Sequence, residues 1–145
     1  MAERVIVRQE SDFGTEILAQ DPHHPDDNTF HVISDVRRLT PYGMLLAGLG
    51  SCTAIVLHTY AYHHDVPLNR VEMRLVYDRV YAEDCETCEA VESYAEQIEM
   101  AVELIGDLTP DLRRRLLSVS RQCPIHKMLN HGIEVQSHLV EEPEA

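Results

Sequence analysis

Thr40-Pro41-Tyr42-Gly43-Met44-Leu45-Leu46-Ala47-Gly48-Leu49-Gly50-Ser51-Cys52-Thr53-Ala54 decides how this chain folds. Threonine can cap the first free amides of a helix, and proline suits the first helical position, so a helix starts at 40–41. It is expected to run to about His63. Its first half is apolar almost all round, which marks a helix buried at the centre of a domain. Ala47, Gly48, Gly50, Ser51 and Ala54 are small. Glycine weakens a helix, and that cost makes sense where another backbone comes close.

N-terminal to this helix, Val5-Ile6-Val7 and Thr15-Glu16-Ile17-Leu18 flank Asp12-Phe13-Gly14, a turn signal, and read as a hairpin. A polar, proline-bounded loop at Asp21–Asn28 leads into a third strand, Thr29–Ile33. C-terminal to the helix, Val71, Met73, Leu75, Tyr77 and Tyr81 alternate with mostly polar residues, so 70–82 is a half-buried strand. Ile98, Ala101, Val102 and Ile105 have helical spacing, and Tyr94–Ile105 is expected to be a helix stopped by Gly106. Thr109-Pro110 starts another, whose Leu112, Leu116, Val119 and Cys123 form one stripe. Pro124 ends it and opens a short helix closed by Gly132. Ile133, Val135 and Leu139 make a last strand. The order is β-β-β-α-β-α-α-(α)-β, an α+β domain with antiparallel sheet wrapped on a buried helix. Within the single domain 1–145, residues 1–38 carry the N-terminal strands and 39–64 the central helix. Residues 70–140 form a strand-helix-helix-strand unit, and 141–145 an acidic, flexible tail.

The 145 residues carry a formal charge of −13 and 44% hydrophobic residues, enough for a core. Such a charge excludes nucleic acid and anionic membrane surfaces as partners. Four cysteines at this length are too sparse for a secreted disulfide framework. No signal peptide opens the sequence and the run Met44–Leu57 is too short and interrupted to span a bilayer, so a reducing, cytoplasmic setting is expected.

Cys52 and Cys123 each end an apolar stripe. Either they pack as small hydrophobes, or the fold unites them into a partly buried dithiol. Burial raises a thiol pKa, so reactivity needs a cation or a helix N-terminus beside the sulfur. Cys52 lies about twelve residues into its helix, too far for that helix's own dipole to act. An arginine must then supply the field, with Arg8, Arg37, Arg38 and Arg121 as candidates. His126, three residues after Cys123, could pair with it. Cys85-Glu86-Thr87-Cys88 sits among Glu83, Asp84, Glu86 and Glu89, whose charge makes those thiols poor nucleophiles. A structural hairpin tip, half a zinc site and an auxiliary redox pair all remain open for it. No histidine spacing marks a metal site, and none is expected.

The segments Thr40–Ala54, Asp84-Cys85-Glu86-Thr87-Cys88-Glu89 and Cys123-Pro124-Ile125-His126-Lys127 together resemble the OsmC/Ohr family, in its general OsmC-like branch. The resemblance implies an intertwined homodimer around the long central helix, with active sites at the subunit interface. It implies a thiol peroxidase for organic hydroperoxides or hydrogen peroxide in oxidative stress defence. Cys52 would be the attacking thiolate, Cys123 the resolving thiol, and an arginine, Arg37 or Arg38, the activating cation. No cofactor is implied beyond an external dithiol or lipoyl-type reductant. The family's glutamate after the helix-opening proline is replaced here by Tyr42 or Gly43, leaving Asp35 as the acid to hold the arginine. His126, Asp35, Tyr42, Cys85 and Cys88 are auxiliary candidates. Two other readings are a non-catalytic protein binding a small apolar or thiol-bearing ligand in the dimer cleft, and a metal sensor using Cys85 and Cys88.

Overall fold

Thr40 caps the central helix as its sequence requires: its hydroxyl accepts the Gly43 amide at 3.0 Å, and Pro41 occupies the first turn. This helix, α1 (Pro41–His63), follows three strands, β1 (Glu3–Glu10), β2 (Thr15–Ala19) and the short β3 (His31–Val32), and a 3-10 turn at Val36–Arg38. After it come β4 (Leu68–Tyr81), β5 (Tyr94–Gly106), α2 (Pro110–Ser120) and α3 (Pro124–His131). The computed structural model describes residues 2–81 and 94–141.

Among the described residues the strands form one antiparallel sheet in the order β3-β2-β1-β4-β5. The β1–β2 turn is the expected one, with the Gly14 amide bonded to Asp12 Oδ1 at 2.9 Å. The residue driven to positive φ is Phe13, not the glycine. The α1 helix lies across β1 and β4, and α2 and α3 pack against it. Leu46, Leu49, Ala54, Leu57 and Ala61 of the helix meet Val5, Val7, Val71, Met73 and Leu75 of the sheet in the core. The closest approach is at Gly50, where a β-carbon would stand 2.7 Å from Val7 Cγ2 and 2.9 Å from Leu75 Cδ1. Gly48 faces away from the sheet with nothing near it. By length and composition this helix could cross a bilayer. Its packing against sheet and helices makes it the core helix of a domain.

Two sequence expectations are corrected. Residues 94–105 are not a helix but β5, paired with β4 along its length. Ile98, Met100, Val102 and Leu104 alternate, and each lies opposite an inward residue of β4: Tyr77, Leu75, Met73 and Val71. A period of two, completed by cross-strand burial, outweighs the helical subset of the same apolar residues. The unit after α1 therefore runs strand-strand-helix-helix. Gly106 ends β5 rather than a helix, and a β-carbon there would meet Pro67 O at 2.1 Å. The last strand is also absent: Ile133, Val135 and Leu139 follow α3 without regular structure and stay 63%, 79% and 92% exposed. Within one copy no sheet edge reaches them.

Candidate functional site

The fold brings the two stripe-ending cysteines together, with Cys123 Sγ 2.8 Å from Cys52 Sγ. Cys52 sits one turn after Leu49 on α1 and is partly exposed. Cys123 is fully buried. It is the residue from which α3 starts, with Pro124 behind it, so the free amides of that helix point toward the sulfurs.

Electrostatics divides the pair. Burial and the neighbouring sulfur raise the Cys52 pKa above the 9.0 of a free thiol, and the Ile125 amide offsets this only in part. Burial also pushes Cys123 upward, but the bond with Cys52 and the amides of His126 and Ile125 outweigh it, and its pKa is lowered from 9.0. Neither amide closes a full capping bond, so their effect is that of a field at a helix N-terminus. The Thr53 hydroxyl is also close, but its proton is taken by Leu49 O at 2.8 Å. Once a first proton has left, the one that remains is shared between the two sulfurs, so that loss belongs to the pair.

Among the described residues, the groups acting on the two thiols are each other, Thr53 and the amides of Ile125 and His126. Arg37 is turned onto Asp35, with Nη2 2.6 Å from Oδ2, on an exposed turn. Asp35 does hold an arginine, which keeps its carboxyl below the usual range, but the pair sits at the surface. Arg38 lines a separate cavity of about 280 Å³ with Asp21, His31 and Ile33. Within one copy, the groups that lower the Cys123 pKa include the start of α3 and the other thiol. The sequence signal of that helix start was present: a cysteine followed directly by a helix-starting proline.

Tyr42 has a defined place. Its ring stacks on Tyr77 with centroids 4.3 Å apart, and its hydroxyl accepts from Arg79 Nη2 at 3.0 Å. The Tyr77 hydroxyl in turn donates to Glu96 Oε1 at 2.8 Å. The tyrosine standing near the expected glutamate thus holds an arginine through its phenol oxygen, and that arginine is Arg79. Sequence reasoning missed Arg79 and Glu96. Both sit at the exposed ends of β4 and β5, directly opposite one another, where charged residues are ordinary and carry no sequence signal.

A cavity of about 400 Å³ opens between α1, α3 and the β4–β5 pair. Leu45, Leu49, Ile98, Met100 and Leu129 give it an apolar wall, and Tyr77, Glu96, Gln97, His126 and Asn130 a polar one. Leu49 precedes Cys52 by one turn and His126 follows Cys123 by one, so two lining residues neighbour the cysteines along the chain, while neither cysteine is part of the lining. The His126 ring does not pair with Cys123. Its Nδ1 meets Asn130 Nδ2 at 3.1 Å, one turn along α3. Cys85 and Cys88 lie outside the described residues. Among the described residues no three histidines, cysteines or carboxylates gather as a metal site.

The fold is similar to that of an OsmC-like hydroperoxide resistance protein from Jannaschia sp. CCS1. The TM-score is 0.59 and identity 15%, over 98% of this chain and 96% of that one. No curated protein matches the sequence. The sequence matches the family of OsmC-like proteins over residues 34–138, which takes in α1, the β4–β5 pair and both later helices. With the central helix, the β4–β5 pair and the joined cysteines all inside that match, the chain belongs to the OsmC-like proteins.

Proposed function

We propose that this protein reduces hydroperoxides with its Cys52–Cys123 dithiol. The observation that carries this reading is the 2.8 Å approach of two thiols, one partly exposed and one buried at a helix start. Cys123 favours the charge, but only Cys52 can meet a substrate. Exchange of the shared proton across the short contact presents the thiolate at Cys52. Its lone pair bonds to the terminal oxygen of the peroxide, the O–O bond breaks, and the alkoxide takes a proton from water. The Cys52 sulfenic acid is then attacked by Cys123, forming the disulfide and releasing water. The two thiol hydrogens are accounted for in alcohol and water, and the peroxide is the oxidant. A dithiol or lipoyl-type reductant in a reducing cytoplasm would restore the pair by exchange.

The same reading includes a homodimer. Met44, Ile55 and Tyr62 are exposed on the face of α1 that also carries Gly48, and a second copy would cover them. A partner could also bring an arginine to the sulfurs. The test is to add cumene hydroperoxide to reduced protein and count free thiols. Loss of two thiols per chain, abolished in Cys52→Ser, supports the reading, and no peroxide-dependent loss ends it.

One observation favours a second reading. Burial raises the Cys52 pKa, as expected of a packing thiol. A non-catalytic protein holding a small apolar ligand in the 400 Å³ cavity would have that property. It would show saturable binding of such a ligand with both thiols intact after peroxide.

A further inference from the structure

We propose that His126 donates a hydrogen bond from Nε2 to the leaving oxygen of the peroxide, with Asn130 as the residue that positions its ring. The inference rests on the dithiol reading above and assigns the group that handles the charge formed when the O–O bond breaks.

His126 lies in the first turn of α3, whose N-cap is Cys123; its backbone amide acts on the Cys123 sulfur, and the residue lines the cavity between α1, α3 and the β4–β5 pair. Its Nδ1 faces Asn130 Nδ2 at 3.1 Å. An amide N–H donates there, so Nδ1 accepts and the ring proton of the neutral imidazole is on Nε2. That edge is turned away from Asn130. Of the other polar groups of the cavity wall, Tyr77 gives its proton to Glu96, the Glu96 carboxyl receives it, and one N–H of Asn130 is used on His126. Gln97 also lines the cavity, from the β5 register opposite Asp78, but has no tie to the turn that follows Cys123, as His126 has.

In the step itself the Cys52 thiolate forms the S–O bond while the electron pair of the O–O bond moves to the alkoxide oxygen. The Nε2–H bond strengthens as that charge grows, and water supplies the proton that completes the alcohol. Such a donor matters most when the leaving alkoxide is strongly basic. It matters little for a peracid, whose carboxylate leaves unaided.

The experiment is single-turnover oxidation of the full chain, reduced beforehand and followed by thiol loss, with tert-butyl hydroperoxide and with peracetic acid. His126→Phe removes the donor, and His126→Gln keeps an N–H at similar reach. The expected result is a loss of about a hundredfold in rate for tert-butyl hydroperoxide in the Phe variant, with a far smaller loss for peracetic acid. The Gln variant should regain part of the difference. Equal slowing of both oxidants, or no slowing, overturns the role of His126 while leaving the dithiol reading in place. A wild-type protein that loses no thiols to either oxidant overturns both.

Discussion

Cys123 and Cys52 are 71 residues apart in sequence and 2.8 Å apart at their sulfurs, and the start of α3 is built on one of them. The consequence is an uneven dithiol. The buried member holds charge more easily than the exposed one, because helix amides and the other sulfur act on it against desolvation.

Thiolate absorbance titrated against pH should show this directly. In Cys123→Ser the remaining Cys52 should ionise above 9.0. In Cys52→Ala, Cys123 should ionise later than the first proton of the wild-type pair, having lost the sulfur that shares its proton. A Cys52 that titrates below a free thiol in the Cys123→Ser protein would contradict the assignment.

Stability should follow with a defined sign. Cys52 is an acid whose folded pKa is raised, so in Cys123→Ser its neutral burial stabilises fully below the unfolded pKa. That contribution is lost as pH rises through the folded value. Cys123 acts in the opposite sense in the wild type: its contribution is present above the unfolded pKa and lost as pH falls through the lowered folded one. Urea unfolding between about pH 8 and pH 10 should therefore show Cys123→Ser declining more steeply than the wild type.

Gly50→Ala should destabilise although alanine favours helix. An added methyl would press on Val7 and Leu75 at 2.7 and 2.9 Å in a full core, for a loss of about 1–3 kcal/mol. Chemical denaturation reads it, and a midpoint at or above that of the wild type would show that the helix–sheet spacing can relax.

Gly48→Glu addresses the opposite face of the same helix. An added side chain meets nothing within a single copy, so each subunit should keep its fold. A charge placed between Met44, Ile55 and Tyr62 should split a homodimer formed on that face. Sedimentation should then give dimer for the wild type and monomer for the variant; an unchanged dimer would move the interface elsewhere.

Thr40→Ala removes the oxygen that accepts the Gly43 amide at 3.0 Å. A cost of about 1 kcal/mol, read as a drop of about 3 °C in Tm, is expected for a lost cap. Thr40→Ser should restore most of it.

What local chemistry dictates was legible. Thr40-Pro41 and Thr109-Pro110 start helices, and each threonine accepts the amide three residues on. Gly132 closes α3, and alternation from Val71 to Tyr77 gives the buried face of β4. The β5 segment was misread because Ile98, Ala101, Val102 and Ile105 satisfy a helical period as readily as Ile98, Met100, Val102 and Leu104 satisfy a strand. Only the ladder with β4 separates the two, since pairing adds backbone hydrogen bonds that no periodicity records. The apolar residues after Gly132 read as a strand for the same reason, yet a strand needs an edge to join.

The order of residues alone determined the central helix, its caps, its small-residue face and the two cysteines at the ends of apolar stripes. Tertiary structure decided that those cysteines touch, that the start of α3 acts on Cys123, and that Tyr42 reaches Arg79. The physical reason is range: caps and periodicity act within a few residues of chain. A sulfur's pKa and a phenol's partner depend on groups that only packing brings into contact.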